Sequence, residues 1–310
     1  MAPVVFKGVF PILITPFDDA ENIDLESFDR IVRFMVGLGV DGITILGVLG
    51  ESNRLTDTER EILIRTAIEA AAEIPVVVGT SHPGTHATCD LSQMAEALGA
   101  SGVMVSPSRE SVPNQERIFE YFQRIAESIS IPIVAQDHPA STQVHMPIPL
   151  LLRLVQEIPQ IACIKAEATP TPPKTRALCS EMKGRRATIL TGLGALYGHY
   201  DLDSGADGFM TGFAFPEVLQ ALVQAHNANQ QQRVREIYQH FLPLIVFEQQ
   251  PGVAIRKEIF RLRGLISSSQ VRHPGTSIDS HTTAQLLAAL TAALPTTDLS
   301  QPISVQRTNA

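Results

Sequence analysis

The segment IACIKAEA, residues 161–168, is a short apolar run that ends on a lysine and a glutamate. Residues 161–164 predict a buried strand, whereas Lys165 and Glu167 belong to the residue types least often fully buried. Because side chains alternate along a strand, Cys163, Lys165 and Glu167 are expected on one face. The segment therefore predicts a strand that carries an amine and a carboxylate to its end, about 6–7 Å apart by Cα spacing.

This strand is one of a series of β-branched runs that alternate with helical patterns. The other strands are predicted at 9–15, 42–46, 76–79, 102–105, 131–136, 188–191 and 208–211. Helices predicted between them include 25–38, 57–72, 86–98, 116–128 and 149–156. This alternation favours an α/β fold, a (β/α)8 TIM barrel, over a doubly wound sheet, since no glycine-rich dinucleotide turn follows the first strand.

The last third of the chain is predicted to be wholly helical, at 217–227, 231–247, 253–263 and 282–294. No linker precedes these helices, so we expect residues 1–215 to form the barrel. Residues 216–295 are then a C-terminal helical extension packed on the barrel within the same domain. The polar end of the chain, residues 296–310, is expected to be disordered.

Composition limits the classes of partner and location. The 310 residues are 44% hydrophobic and 18% charged, as in soluble globular proteins. The net charge of −8 without a basic block argues against nucleic acid as a partner. No apolar run reaches the roughly 18 residues of a membrane span. The cysteines Cys89, Cys163 and Cys179 are scattered, and no secretion signal opens the chain, which predicts a reduced, cytoplasmic protein.

In a (β/α)8 barrel the functional residues lie in the loops that follow the strands. Polar and glycine-rich segments recur there: GVLGE at 47–51, TSHPGT at 80–85, QDHPAS at 136–141 and TGLGALYG at 191–198. A lysine in such a site can lose its proton and attack a carbonyl, forming a Schiff base that a nearby carboxylate assists. From spacing alone, a surface ion pair at the strand end remains the alternative. No metal site is predicted, because His82 and His86 lack a third ligand nearby.

Three sequence motifs together indicate a resemblance to a known family. GVLGE after the second strand, the lysine of IACIKAEA and GADGFMTG at 205–212 resemble the dihydrodipicolinate synthase/N-acetylneuraminate lyase family, in order and spacing over residues 6–274. The resemblance implies a (β/α)8 barrel with C-terminal helices, a homotetramer and Lys165 as the Schiff-base lysine. It also implies that loop amides bind the carboxylate of a small 2-oxo acid, which assigns substrate binding to Gly47, Val48, Leu49, Gly50 and Glu51. Neither a metal nor an organic cofactor is implied, since the iminium is the electron sink.

The chain also departs from this family. Typical members carry threonine or serine where Val48 and Leu49 stand, and a tyrosine that relays protons where Gln136 stands. The arginine by which synthases bind a second carboxylate aligns with Ser141. An amide cannot relay a proton as a phenol does, which argues against synthase or sialic-acid-lyase activity.

One branch of the family is more similar, that of L-2-keto-3-deoxyarabonate dehydratase. It shares a QDxPAS segment, lysine-x-glutamate on the sixth strand, TSH at 80–82 and VRHP at 271–274. This resemblance implies that Lys165 and Glu167 are catalytic, with Glu167 in the acid/base role of the missing tyrosine. Further substrate-binding candidates are Ser81, His82, Gln136, Asp137, Ser141 and Thr191.

The implied activity is dehydration of a 2-keto-3-deoxy sugar acid. The leading substrate is L-2-keto-3-deoxyarabonate, which would give 2-oxoglutarate semialdehyde. Two alternatives stay open from the sequence: a class I pyruvate-dependent aldolase, which starts from the same imine, and a non-catalytic barrel that binds a keto acid.

Overall fold

A computed structural model of the chain describes residues 4–109, 114–182, 184, 187–250 and 252–305. Its strands are β1 Gly8–Pro11, β2 Ile43–Ile45, β3 Val76–Gly79, β4 Gly102–Val105, β5 Ile133–Asp137, β6 Ile161–Ala166, β7 Thr188–Thr191 and β8 Gly208–Thr211. They pair in parallel in the order β1-β8-β7-β6-β5-β4-β3-β2. A bridge between Ile12 and Thr44 joins the two ends of the sheet. The predicted TIM barrel is confirmed.

Helices follow the strands around the barrel and continue beyond it. Those of the barrel are α1 Leu25–Leu38, α2 Asp57–Ala71, α3 Thr85–Ala97, α4 Gln115–Ser128, α5 Pro139–Thr142, α6 Ile148–Glu157, α7 Thr171–Glu181 and α8 Gly198–Asp203. Those of the C-terminal region are α9 Pro216–Asn227, α10 Gln231–Phe247, α11 Gly252–Leu262 and α12 Ser280–Ala293. None of these described helices has the length and apolar character needed to cross a membrane.

Local sequence explains where helices begin and end. At α1, the Asp24 side chain accepts the Ser27 N–H, and Gly39 ends the helix in the left-handed region with φ 65°. At α2, Thr56 and Glu59 form a capping box in which each side chain binds the backbone N–H of the other. Such contacts satisfy the backbone donors that an isolated helix terminus leaves without partners.

The barrel interior is filled by side chains that point inward from the strands. They form an apolar cluster that consists of Phe6, Phe10, Ile12, Val77, Met104, Val134, Cys163, Leu190 and Met210. The alternate positions, such as Val76, Val78 and Ile164, point outward into the larger core beneath the helices. Because side chains alternate, the next inward position of β6 after Cys163 is residue 165, at the carboxyl end of the barrel.

The C-terminal helices share an apolar core with barrel residues such as Val9, Leu202 and Phe209, and part of the tail joins this core. Ile303 is buried in this core, and its N–H donates to Glu217 Oε1 over 3.1 Å. Arg233 donates to the Val305 carbonyl over 2.8 Å. Residues 296–305 therefore differ from the disorder expected of them, because one apolar side chain and two backbone groups find partners on the helices. Residues 306–310 lie outside the described part of the chain.

Candidate active site

Lys165 and Glu167 meet at the carboxyl end of β6, above the apolar cluster. Lys165 Nζ lies 2.9 Å from Glu167 Oε2, and the two side chains are 2% and 5% exposed. In the sheet, Lys165 is paired with Gln136 of β5 and Leu190 of β7. The amine and the carboxylate thus share one face, and their burial excludes a surface ion pair.

Neighbours from two strands orient the Glu167 carboxylate. Gln136 Nε2 donates to Glu167 Oε2 over 2.8 Å, and the Leu193 N–H donates to Oε1 over 3.0 Å. The loop after β7 comes this close because residue 192 is glycine: a Cβ on Gly192 would stand 1.9 Å from Glu167 Oε1. Both carboxylate oxygens have partners, so the group is held in one orientation beside Lys165.

The charges around Glu167 keep its carboxylate ionised. Burial by itself would raise the pKa of Glu167, but its pKa lies below the ordinary value. The positive charge of Lys165 opposes the burial most strongly, and the hydrogen bond from Gln136 adds to it. An ionised carboxylate at this position can accept a proton. Below it, burial raises the pKa of the Cys163 thiol to about 12, so this cysteine is a neutral core residue.

The GVLGE segment forms a short 3₁₀ turn after β2. The Gly50 N–H donates to the Gly47 carbonyl over 3.0 Å, and the Glu51 N–H donates to the Val48 carbonyl over 3.1 Å. These two amides are engaged within the turn.

Glu51 anchors this turn to the C-terminal half of the chain. Its carboxylate lies 2.5 Å from Lys257 Nζ and 2.5 Å from an Arg54 guanidinium nitrogen. It also accepts the Arg272 N–H over 3.1 Å. The Glu51 side chain is 1% exposed in this arrangement. Its side chain is therefore a structural anchor for the turn and is occupied by protein cations.

Comparison with known proteins identifies the family. The profile of the dihydrodipicolinate synthetase family matches residues 5–293. L-2-keto-3-deoxyarabonate dehydratase of Azospirillum brasilense is 36% identical over 288 residues, which cover 91% of this chain and 93% of that protein. The chain belongs to the dihydrodipicolinate synthetase family. As a member, it is an enzyme, a lyase of the kind that acts through a Schiff-base lysine.

Solved structures of this family agree with the fold. Dihydrodipicolinate synthase from Rhodopseudomonas palustris has a TM-score of 0.88 to this chain at 34% identity, covering 92% of this chain and 97% of its own. YagE, a prophage protein of E. coli K12 in complex with pyruvate, has a TM-score of 0.86 at 27% identity, covering 93% and 99%. The barrel and its C-terminal helices are thus those of the dihydrodipicolinate synthetase family.

The side chains of the GVLGE turn are apolar at the two positions where typical members of the family carry threonine or serine. Val48 is 56% exposed, while Leu49 is packed against the apolar cluster of the barrel. The Leu49 side chain reaches Gly212 after β8, where a Cβ would stand 1.9 Å from Leu49 Cδ1. Only the backbone of these two residues offers polar groups to a substrate.

Two predicted substrate-binding residues point away from the barrel interior. Asp137 follows the outward position Ala135 by two residues, and its carboxylate lies 2.5 Å from Lys174 Nζ of α7. Thr191 is likewise on the outer face of β7, where its hydroxyl donates to Asp201 Oδ2 over 2.5 Å. The expectation that they contact substrate is corrected, because the strand alternation places them under the helices.

Ser81 and His82 lie on the exposed rim after β3. The Ser81 hydroxyl accepts the Ser106 N–H over 2.9 Å, which ties the loops after β3 and β4 together. His82 Nδ1 accepts the Gly84 N–H over 3.0 Å. A neutral His82 then carries its proton on Nε2. Their role in substrate binding stays a prediction.

The sequence reasoning singled out Ser141 but missed the histidine that it contacts. The Ser141 hydroxyl lies 2.7 Å from His138 Nδ1. Burial lowers the pKa of His138, and the charges of Glu167 and Lys165 act on that pKa with opposite signs. The signal was available in the segment QDHPAS, since residue 138 is two positions after Gln136 and shares its face in an extended chain.

Proposed function

We propose that this enzyme dehydrates a 2-keto-3-deoxy sugar acid through a Schiff base on Lys165, with Glu167 as the acid/base group. The proposed substrate is L-2-keto-3-deoxyarabonate, and the proposed product is 2-oxoglutarate semialdehyde. One observation carries the proposal: a buried amine stands 2.9 Å from an oriented carboxylate at the carboxyl end of the barrel. The 36% identity to the A. brasilense dehydratase supports the choice of substrate.

The first step forms the imine. Glu167 takes a proton from Lys165 Nζ, the free amine attacks C2 of the keto acid, and Glu167 returns the proton to the C2 oxygen, which leaves as water. The iminium nitrogen keeps a positive charge where the ammonium stood, so Glu167 remains electrostatically paired. The Val48 and Leu49 amides hold the C1 carboxylate, as the engagement of the Gly50 and Glu51 amides within the turn suggests.

The second step eliminates water. The iminium acidifies the C3–H bond, Glu167 takes that proton, and the bonding electrons form the C2–C3 double bond of an enamine. The enamine then expels the C4 hydroxyl, which receives a proton from Glu167 and departs as water. Tautomerisation and hydrolysis of the imine release the semialdehyde and restore Lys165. Gln136 orients Glu167 in this scheme and transfers no proton itself.

The test combines trapping with product analysis. Borohydride and pyruvate should add mass at Lys165, and the Lys165→Ala variant should lose both the adduct and turnover. A panel of 2-keto-3-deoxy acids should yield dehydrated products by mass spectrometry. Pyruvate plus an aldehyde would instead indicate an aldolase, and an acid bound without any trapped adduct would indicate a keto-acid-binding barrel. An adduct on another lysine would contradict the assignment of Lys165.

We also propose that the enzyme is a cytoplasmic homotetramer, as its resemblance to the family implies. The free state of Cys89, Cys163 and Cys179 is compatible with a reducing compartment. Light scattering at micromolar concentration should give four times the mass of the chain, and a monomer would contradict the proposal.

A further inference from the structure

His138 occupies the inner face of the barrel mouth beside the catalytic pair. It follows β5 directly and precedes the short helix α5, with φ −124° and ψ 72°. The inward positions of β5 are Val134 and Gln136, and the next position with the same direction is His138. Both Glu167 and Lys165 influence the pKa of His138 through their charges, which agrees with a ring that points over them.

Ser141 orients the His138 ring. The short helix α5 brings the Ser141 hydroxyl back to 2.7 Å from His138 Nδ1. When the hydroxyl donates to Nδ1, a neutral ring carries its proton on Nε2, the nitrogen on the far side of the ring. Burial lowers the pKa of His138, and this effect prevails over the opposing charge of Glu167. At neutral pH the ring is therefore a neutral group with one nitrogen free to bind a polar ligand.

The position of His138 matches the distal part of a bound sugar acid. The GVLGE turn follows β2, whereas Lys165 belongs to β6 and His138 to the end of β5, with β3 and β4 between β2 and β5 in the sheet. A substrate whose C1 carboxylate binds the turn and whose C2 is joined to Lys165 extends its remaining carbons away from the turn. The β5 side of the mouth, with His138, faces those carbons.

We propose that His138, held by Ser141, hydrogen-bonds a substrate hydroxyl beyond C3 and thereby selects hydroxylated 2-oxo acids over pyruvate. The inference rests on the proposed function and names the residue that recognises the distal half of the substrate. It gives His138 a binding role, since a neutral imidazole with a lowered pKa is a poor proton donor. Pyruvate, which ends at C3, has no hydroxyl for this contact.

The experiment compares two ligands in one assay. Borohydride trapping at Lys165 is measured as a function of concentration for pyruvate and for L-2-keto-3-deoxyarabonate, in the wild-type enzyme and in His138→Leu and His138→Gln. His138→Leu should raise the half-trapping concentration of the sugar acid about 10-fold, as expected for one lost hydrogen bond, and leave that of pyruvate unchanged. His138→Gln, whose amide can still donate, should recover most of the loss. Ser141→Ala should give a smaller shift of the same kind.

Each outcome separates the inference from the proposed function, because trapping reports imine formation and does not require dehydration. Equal loss for both ligands would assign His138 a structural role and overturn the inference. An unchanged sugar-acid curve would overturn it as well, while the Schiff base on Lys165 would stand. Absence of any pyruvate adduct in the wild-type enzyme would refute the proposed function itself, and the inference with it.

Discussion

Among the residues that the structure describes, two buried lysine–glutamate pairs differ in their surroundings. Lys165 and Glu167 lie at the barrel mouth, with the uncharged Gln136 side chain as a further partner of the carboxylate. Lys257 and Glu51 lie behind the GVLGE turn, with both side chains at most 1% exposed. Burial of a lysine next to a carboxylate is therefore not sufficient to identify a Schiff-base residue.

The difference lies in what else each pair contacts. Glu51 has two further partners, the Arg54 guanidinium and the Arg272 backbone N–H, and Lys257 Nζ donates to the Gln270 carbonyl over 2.7 Å. The Lys257 ammonium also lies 4.2 Å from the centre of the Phe17 ring. Burial lowers the pKa of Lys257 to about 8, against the attraction of Glu51. The Lys257–Glu51 pair is thus enclosed by charged and backbone partners from several parts of the chain, whereas the further partners of Glu167 are the Gln136 amide and the Leu193 N–H, which carry no charge.

The largest expected effect is the loss of turnover when Glu167 is replaced by an uncharged side chain. Glu167→Gln keeps the shape of the side chain and removes the base, so turnover should fall about 10²–10⁴-fold. Pyruvate trapping at Lys165 should survive, because the variant retains the amine that forms the imine. Steady-state kinetics and mass spectrometry provide the measurements. Near-normal turnover would show that Glu167 is only structural.

The second prediction tests the Lys257–Glu51 pair by its effect on the stability of the protein. Lys257→Met leaves the Glu51 charge buried with fewer partners, so the free energy of unfolding should fall by about 3 kcal/mol. Urea unfolding measures this loss. The double variant Lys257→Met/Glu51→Gln should recover part of it, since removing both charges leaves no unpaired ion. Pyruvate should still be trapped at Lys165 in both variants, and loss of the adduct would contradict the division of roles.

The third prediction concerns the displacement of Glu167 by a substitution in the loop after β7. Gly192→Ala places a methyl group 1.9 Å from the present position of Glu167 Oε1, so the carboxylate must move. A displacement of this size at a catalytic group can cost about 10²-fold in turnover. Gly37→Ala is the matched control, because a Cβ there has no atom within 4 Å. Turnover of the control should be normal, and equal turnover in both variants would show that Glu167 tolerates displacement.

The smallest expected effect concerns the ion pair of Glu59 with Arg272, a residue that also contacts Glu51. The hydrogen bond from Arg272 lowers the pKa of Glu59 from 4.5 to about 2, although burial opposes it. A depressed carboxyl pKa stabilises the protein above pH 4.5 and loses that contribution as the pH falls toward 2. Glu59→Gln should thus cost about 1 kcal/mol at neutral pH, with a difference from wild type that narrows across this window. A difference independent of pH would contradict the ion-pair explanation.

Local patterns were sufficient for most of the barrel. The strands predicted at 76–79, 102–105, 188–191 and 208–211 have those bounds in the structure, as do the helices predicted at 25–38 and 231–247. The hydrophobic period and the capping residues depend on neighbours within one turn of helix or a few residues of strand. Both can therefore be identified from the sequence. The placement of Lys165 and Glu167 on one inward face follows from the same alternation.

Contacts between distant segments were not predictable in this way. The side chain of Glu51 binds Lys257 and Arg272, more than two hundred residues later in the chain, and no local pattern indicates which of several cations a glutamate will meet. Asp137 was predicted to contact substrate because it lies in a loop-forming motif, yet its partner is Lys174. Only the packing of α7 against the barrel decides that this carboxylate is engaged.

The sequence by itself determined the alternation of strands and helices, the strand that carries Lys165 and Glu167, and the family to which the chain belongs. The tertiary structure decided which strand faces point inward at their ends, that Gln136 and the Leu193 amide orient Glu167, and that Ser141 contacts the His138 ring. The physical reason is range: periodicity and capping are set by neighbours in sequence, whereas a barrel site is assembled from the ends of strands that meet only when the sheet closes.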